Sequence, residues 1–298
     1  MPDKARSFLS LLLVRLGLKK AGEEARKTVT FGDPEAARGG LFWSICAVAA
    51  VFISWSIYGW YVDGLSEKES RKLVIFMPTL SLVWEQFVVS ATDGYRNSTL
   101  LEHIGVSVYR LLTGFILGCI VGIPAGFAMG LSRFWNGLLN PVVEFMRPVP
   151  PLALIPLSII YLGIDDKPKI ALLFLAALFV MILSARAGVQ GIRMSKIHAA
   201  YTLGASKQQV LFRVILPNAL PEIFTGMRVA MGICWGTLVA AELVGADSGI
   251  GYMITVAGKF LDTALVFIGI IIIGVIGFSI DAGMKRLESK LVPWKGKG

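Results

Sequence analysis

Six stretches of this chain are apolar enough to cross a lipid bilayer, and polar segments separate them. Residues 41–62 and 111–132 each run 22 positions without a charged side chain. Residues 148–164, 170–185 and 263–280 give 17, 16 and 18 such positions. A further stretch, 223–244, carries Arg228 near one end and Glu242 near the other. A spanning helix needs about 20 apolar residues to cross about 30 Å of hydrocarbon. The pattern therefore predicts an all-α membrane protein with a bundle of six transmembrane helices. Ahead of the first span, residues 7–18 read as a short amphipathic helix lying on the membrane surface. Arg15, Lys19 and Lys20 interrupt the apolar run, and no small-residue cleavage pattern follows, which disfavours a removed signal. Residues 21–40 read as a polar linker.

Composition supports this picture. Of 298 residues, 55% are hydrophobic and only 16% charged, well under the quarter that soluble domains average. The net charge of +9 raises the question of nucleic acid, and the distribution of the charges answers it. Segments 1–40, 131–141, 191–222 and 284–298 hold 18 Lys and Arg, whereas 63–103, 164–169 and 246–262 hold 7. Positive residues collect on the cytoplasmic side, so the chain is expected to have both termini inside, with no nucleic-acid partner. The domain reading is an N-terminal cytoplasmic helix and linker (1–40), a first span with an external segment (41–103), a core bundle (104–290) and a cytoplasmic tail (291–298). Cys46, Cys119 and Cys234 all sit in apolar runs, and His103 and His198 are the only histidines. That inventory suits neither a disulfide framework nor a metal centre.

Within the second span Gly114, Gly118, Gly122, Gly126 and Gly130 recur every fourth residue. Such positions share one helical face, and a row of absent side chains lets another backbone approach. The ridge predicts close helix packing, with a substrate path as the alternative. Pro124 in its middle is expected to bend the helix. Glu144, Arg147, Pro148, Pro150 and Pro151 crowd the start of the third span. Glu144 and Arg147 are three apart and can pair, while the prolines disfavour helix. This stretch reads equally as a kinked start or a moving gate. Glu242 is the sharpest titratable residue inside a span and a candidate for the gate or path, weighed against a structural hydrogen bond near the outer interface. Trp235 joins it as a path candidate that packing would also explain, and Arg228 can snorkel to the interface.

The polar break 191–222 is too ordered for a simple connector. Lys196 to Leu203 is a plausible short helix with Ser195 as N-cap, and Gly204 supplies the turn that ends it. Ser206 can cap a second helix, stopped at Pro217 and Pro221. Small residues at the tip (Ala199, Ala200, Gly204, Ala205, Ser206) suit insertion into a cleft on another protein. Leu203, Val210, Leu211, Val214 and Leu216 are expected to anchor the hairpin to the bundle.

At these residues the chain resembles the permeases of ATP-binding-cassette importers. Ala199-Ala200, then Gly204, Val214 and Leu216-Pro217 are similar to that family's EAA loop, with His198 where Glu usually stands and Val214 for the usual Ile. The resemblance runs from about Met77 to Trp294. The run Arg147 to Ala153, the run Leu216 to Ile223, and Thr225 to Arg228 are similar to the branch serving sulfonates, nitrate and related small anions. Val239 to Leu243, Gly249 to Tyr252 and Leu291 to Trp294 resemble its taurine-carrying members.

The resemblance implies a type I importer fold in the cell inner membrane and a coupling loop comprising His198, Ala199, Ala200, Leu203, Gly204, Ala205, Ser206, Phe212, Val214, Leu216 and Pro217. It implies an ATP-binding partner subunit, an external substrate-binding protein and a permease homodimer. The cargo it implies is a small sulfonate, taurine foremost, with nitrate or alkanesulfonates as alternatives. The chain has no Gly-rich phosphate loop of its own, so ATP and Mg belong to the partner and the permease is not an enzyme. An ion-coupled carrier would be expected to show an inverted repeat, and a membrane enzyme a nucleophile or His/Asp cluster; the sequence shows neither.

Overall fold

The computed structural model describes residues 40–96 and 98–295; the expected surface helix at 7–18 and the linker up to residue 39 lie outside them. The chain divides into a unit of residues 1–57 and a unit of residues 58–298. The described part of the first is most of helix α1 (Gly40–Asp63). The second holds α2 (Glu67–Phe76), α3 (Leu80–Thr92), α4 (Leu100–Leu131), α5 (Arg133–Met146), α6 (Ile155–Leu162), α7 (Asp166–Gln190) and α8 (Met194–Thr202). It continues with α9 (Lys207–Leu243), α10 (Ile250–Lys259) and α11 (Thr263–Leu291).

Five unbroken helices are long and apolar enough to span a membrane, and two bent pairs would raise the count to seven. One pair, α5 and α6, meets at 85°; α6 lies in the expected third span, while α5 occupies the stretch expected to be a cytoplasmic connector and the residues leading up to that span. The prolines explain the elbow. Helix α5 ends at Met146, Pro148 and Pro150 offer no backbone donor, and the chain restarts through a 3₁₀ turn at Pro151–Leu154. The other pair, α2 and α3, bends by 67° within the segment read as external.

Helix α4 starts well before the apolar run does. Thr99 and Glu102 form a reciprocal capping box, which satisfies free amides of the first turn and sets the start at Leu100. The helix then continues unbroken through Pro124. Its glycine ridge meets a second every-fourth-residue row on α7. A Cβ built on Gly118 would lie 2.5 Å from Ala177 Cβ, on Gly122 2.8 Å from Met181 Cβ, on Gly126 2.7 Å from Ala185 Cβ, and on Gly130 2.8 Å from Val189 Cβ. Gly114 faces Leu173 in the same way. The ridge is filled by packing against α7 along its length. Helix α9 covers another face of α7, and Leu111, Leu173, Ala177, Met181, Ala219, Ile223, Ala230 and Leu238 close the core between the three.

Gly118→Leu should therefore force α4 and α7 apart. Overpacking costs about 1–3 kcal/mol, read as reduced folded protein in membranes and a lower unfolding temperature in detergent. Gly105→Ala on the same helix, where an added Cβ meets nothing within 4 Å, should be neutral.

Pro217 and Pro221 do not stop a helix as expected; α9 passes through both into the core. A π turn at Val210–Ile215 makes room. There the Leu216 N–H reaches back to the Leu211 carbonyl, and Pro217, next in line, has no donor to lose. The carbonyl of Pro217 would ordinarily accept from residue 221, which is also proline. The indole Nε1–H of Trp294 donates to it instead, at 3.2 Å. The residues after α11 thus return to the root of the loop, with Val292 buried and Lys295 paired to Glu288.

Candidate functional site

The hairpin between α7 and the core part of α9 is built from three local devices. Helix α8 starts at Met194 after Arg193 rather than at a Ser195 cap. It ends in a Schellman turn: Gly204 N–H bonds Tyr201 O at 2.9 Å, and Ala205 N–H bonds Ala200 O at 3.0 Å. Gly204 takes φ +79°, the left-handed geometry in which glycine carries no penalty. Ser206 and Gln209 then form a capping box: Ser206 Oγ accepts from Gln209 N–H at 3.3 Å, and Gln209 Oε1 accepts from Ser206 N–H at 2.8 Å.

The hairpin has an apolar root and an exposed tip. Val210 and Ile215 are buried with Val189, and Ile197, Ala200, Ala205, Leu211, Val214 and Phe127 pack against them. Leu203, expected to anchor, is 88% exposed instead. It stands beside the left-handed turn at Gly204 and outside the root cluster. Phe212 is 63% exposed, and Met194 and Tyr201 are exposed as well. His198 and Ala199 also face outward, while Leu216 and Pro217 sit half-buried at the root. Met194, Tyr201 and Leu203, three large apolar side chains exposed along α8 and its turn, are unusual on a surface meant only for water.

The residues considered for a gate or path do not converge. Glu144 and Arg147 make a loose, exposed pair at 3.9 Å beside the elbow formed by Pro148, Pro150 and Pro151. Trp235 lines a cleft between α9 and α11. Arg228 does not snorkel free. Its Nε donates to Asp281 Oδ1 at 3.3 Å, and Nη1 stands 3.7 Å from Glu288.

Glu242 is neither isolated nor open. It is 1% exposed, against 3% for Arg110. Arg110 Nη1 donates to it at 2.8 Å, Ser107 Oγ at 2.8 Å, and Gly251 N–H at 2.9 Å. Arg110 also donates through Nε to Asp166 at 2.8 Å and through Nη1 to the Ser248 carbonyl at 2.7 Å. Ile250 N–H donates to Ser107 Oγ at 2.9 Å, so the carboxylate and hydroxyl occupy the start of α10, where the free amides favour negative charge. His103 completes the knot. Its Nδ1 accepts from Gly249 N–H at 3.1 Å, which assigns the proton to Nε2, facing the Tyr95 carbonyl at 3.2 Å.

Glu242 stands out in the sequence by its charge, and its partner Arg110 does not. The available signal was Arg110 itself, a cation one turn from Gly114 on the packed face of α4, where a buried charge needs a counter-ion.

A core of three packed, membrane-length helices with bent helix pairs beside it and an exposed apolar hairpin defines a polytopic membrane bundle. The chain matches, over residues 114–293, the family described as the binding-protein-dependent transport system inner membrane component, and it belongs to that family. It is 43% identical over 224 residues to the taurine transport system permease protein TauC of Escherichia coli K12, covering 75% of this chain and 82% of that one. It is 34% identical over 262 residues to a putative aliphatic sulfonates transport permease protein of Bacillus subtilis, covering 88% and 91%. A nitrate import permease protein of Synechocystis is 28% identical over 251 residues, covering 84% and 89%. Among solved structures, an inward-facing form of the MetNI methionine transporter superposes with a TM-score of 0.54 at 18% identity, covering 70% of this chain and 98% of the other. The protein is thus a multi-pass inner-membrane component of an ATP-binding-cassette importer, with a type I importer permease fold, and a transport subunit rather than an enzyme.

Proposed function

We propose that this permease carries a small sulfonate, taurine foremost, inward, driven by a separate ATP-binding subunit and supplied by an external substrate-binding protein. The observation that carries the coupling part is the hairpin, an apolar root locked into the bundle under an exposed tip of Leu203 and Gly204. With one permease chain, a homodimer is the economical assembly, and both termini lie in the cytoplasm with the hairpin. ATP binding closes the ATPase pair and draws the two tips together. The cluster around Val210 and Ile215 transmits that movement to α7 and α9, and the bundle opens outward to receive cargo. Hydrolysis resets it. The cargo assignment is supported by the taurine and sulfonate relatives.

Two measurements test this reading. A Leu203→Cys variant in a cysteine-free background should crosslink to the ATP-binding subunit in intact cells. A tip that never captures that subunit removes the coupling assignment. Cells carrying the whole system should take up radiolabelled taurine, with alkanesulfonates competing better than nitrate. Uptake blocked only by nitrate would move the cargo to the other side of the branch.

A further inference from the structure

The cleft between α9 and α11 has a chemistry that the coupling hairpin does not use. Its volume is about 300 Å³, and Arg228, Met231, Gly232, Trp235, Gly277 and Asp281 are among its lining residues. Pockets for drug-sized ligands run from about 300 to 1,000 Å³, so this one suits a smaller molecule. Gly277 makes the space: a Cβ there would lie 3.1 Å from the Trp235 Nε1. At Gly232 an added Cβ would meet nothing within 4 Å, and the floor stays open.

Three polar groups face this otherwise apolar cleft. The Trp235 Nε1–H has no hydrogen-bond acceptor among the described residues. Arg228 holds Asp281 through a single contact at 3.3 Å and Glu288 only at 3.7 Å, neither of them the bidentate clamp that a guanidinium makes with a committed carboxylate. Asp281 is shared with Lys285 at 2.5 Å. A donor without an acceptor, a cation with donors to spare and a carboxylate lie within one small cavity. An anion with several acceptor oxygens satisfies the first two groups, and an ammonium can take the place of Arg228 on Asp281 beside the Lys285 already there.

We infer that this cleft is a binding site for a small zwitterion, with its sulfonate on Arg228 and Trp235 and its ammonium on Asp281. The inference deepens the proposed cargo reading and rests on it. The zwitterion inserts into the loose Arg228–Asp281 pair and replaces one internal contact with two of its own. A simple alkanesulfonate keeps the Arg228 and Trp235 contacts but gains nothing from Asp281. The site therefore discriminates by the amino group.

Equilibrium binding of radiolabelled taurine to the permease–ATPase complex in lipid nanodiscs, without the binding protein, tests this. Wild type should bind taurine, with ethanesulfonate and ethylamine each competing at least tenfold more weakly. Asp281→Asn should weaken taurine about tenfold and leave ethanesulfonate competition unchanged. Trp235→Phe, which keeps the ring and removes the donor, should weaken both sulfonates alike. A wild-type complex that binds no taurine, or an Asp281→Asn complex that loses taurine and ethanesulfonate in the same proportion, overturns the site. Neither result touches the cargo assignment, which stands or falls on uptake by the intact wild-type system.

Discussion

Arg110→Met should be the most destabilising single change in the core of this protein. The replacement fills much of the same volume but leaves Glu242, 1% exposed, without its cation. Removing one partner of a buried ion pair costs about 3–5 kcal/mol, because the other charge stays buried without compensation. Folded domains hold only about 5–15 kcal/mol in reserve. The knot also fastens four segments at once: Ser107 and Arg110 on α4, Asp166 at the start of α7, Glu242 at the end of α9, and residues 248–251 leading into α10. Purified Arg110→Met should unfold on the order of 10 °C below wild type, and little should reach the membrane folded. Adding Glu242→Met should recover much of the loss, since a buried pair replaced whole by apolar groups is often neutral. If the double variant were less stable than Arg110→Met alone, the bridge would not be what holds these segments.

How much of this was readable beforehand depended on whether the cause was local. The glycine ridge is legible because residues four apart fall close to one face of a helix with 3.6 residues per turn, and the partner row at Leu173, Ala177, Met181, Ala185 and Val189 repeats that spacing. The Ser206 cap and the Gly204 turn were legible for the same reason: each is set by residues within five positions. The elbow at Pro148–Pro151 was legible as a break, yet its 85° angle depends on how α5 and α6 pack, which no run of prolines specifies.

Two features depend on residues far away in sequence. Pro217 and Pro221 look like stops until Trp294, 77 residues away, supplies the donor that one of them lacks. Glu242 looks isolated until Arg110, 132 residues earlier, is folded against it. Leu203 was misplaced by hydrophobicity alone. It lies beside the left-handed turn at Gly204, clear of the cluster around Val210 and Ile215.

Gly204→Arg should abolish uptake while leaving insertion and folding of the bundle intact. Among the described residues, its two chain neighbours aside, nothing lies within 4 Å of a Cβ at this position, so an added side chain projects into the space that the proposed ATPase groove must occupy. Part of any effect would come from the backbone, since φ +79° costs a residue with a Cβ about 1–3 kcal/mol. Gly204→Asn separates the two causes, because asparagine tolerates the left-handed region and adds little bulk. The expected order is wild type, then Asn with most uptake retained, then Arg with uptake at background despite normal membrane levels. ATP hydrolysis by the partner subunit should lose its stimulation by loaded binding protein in the same order. The root buried around Val210 and Ile215 would be unaffected, so limited proteolysis of the bundle should match wild type. Transport that survives Gly204→Arg at normal expression would place the contact elsewhere, for instance along the Phe212 face. A loss of equal size in Gly204→Asn would assign the defect to the turn instead of to the groove it enters.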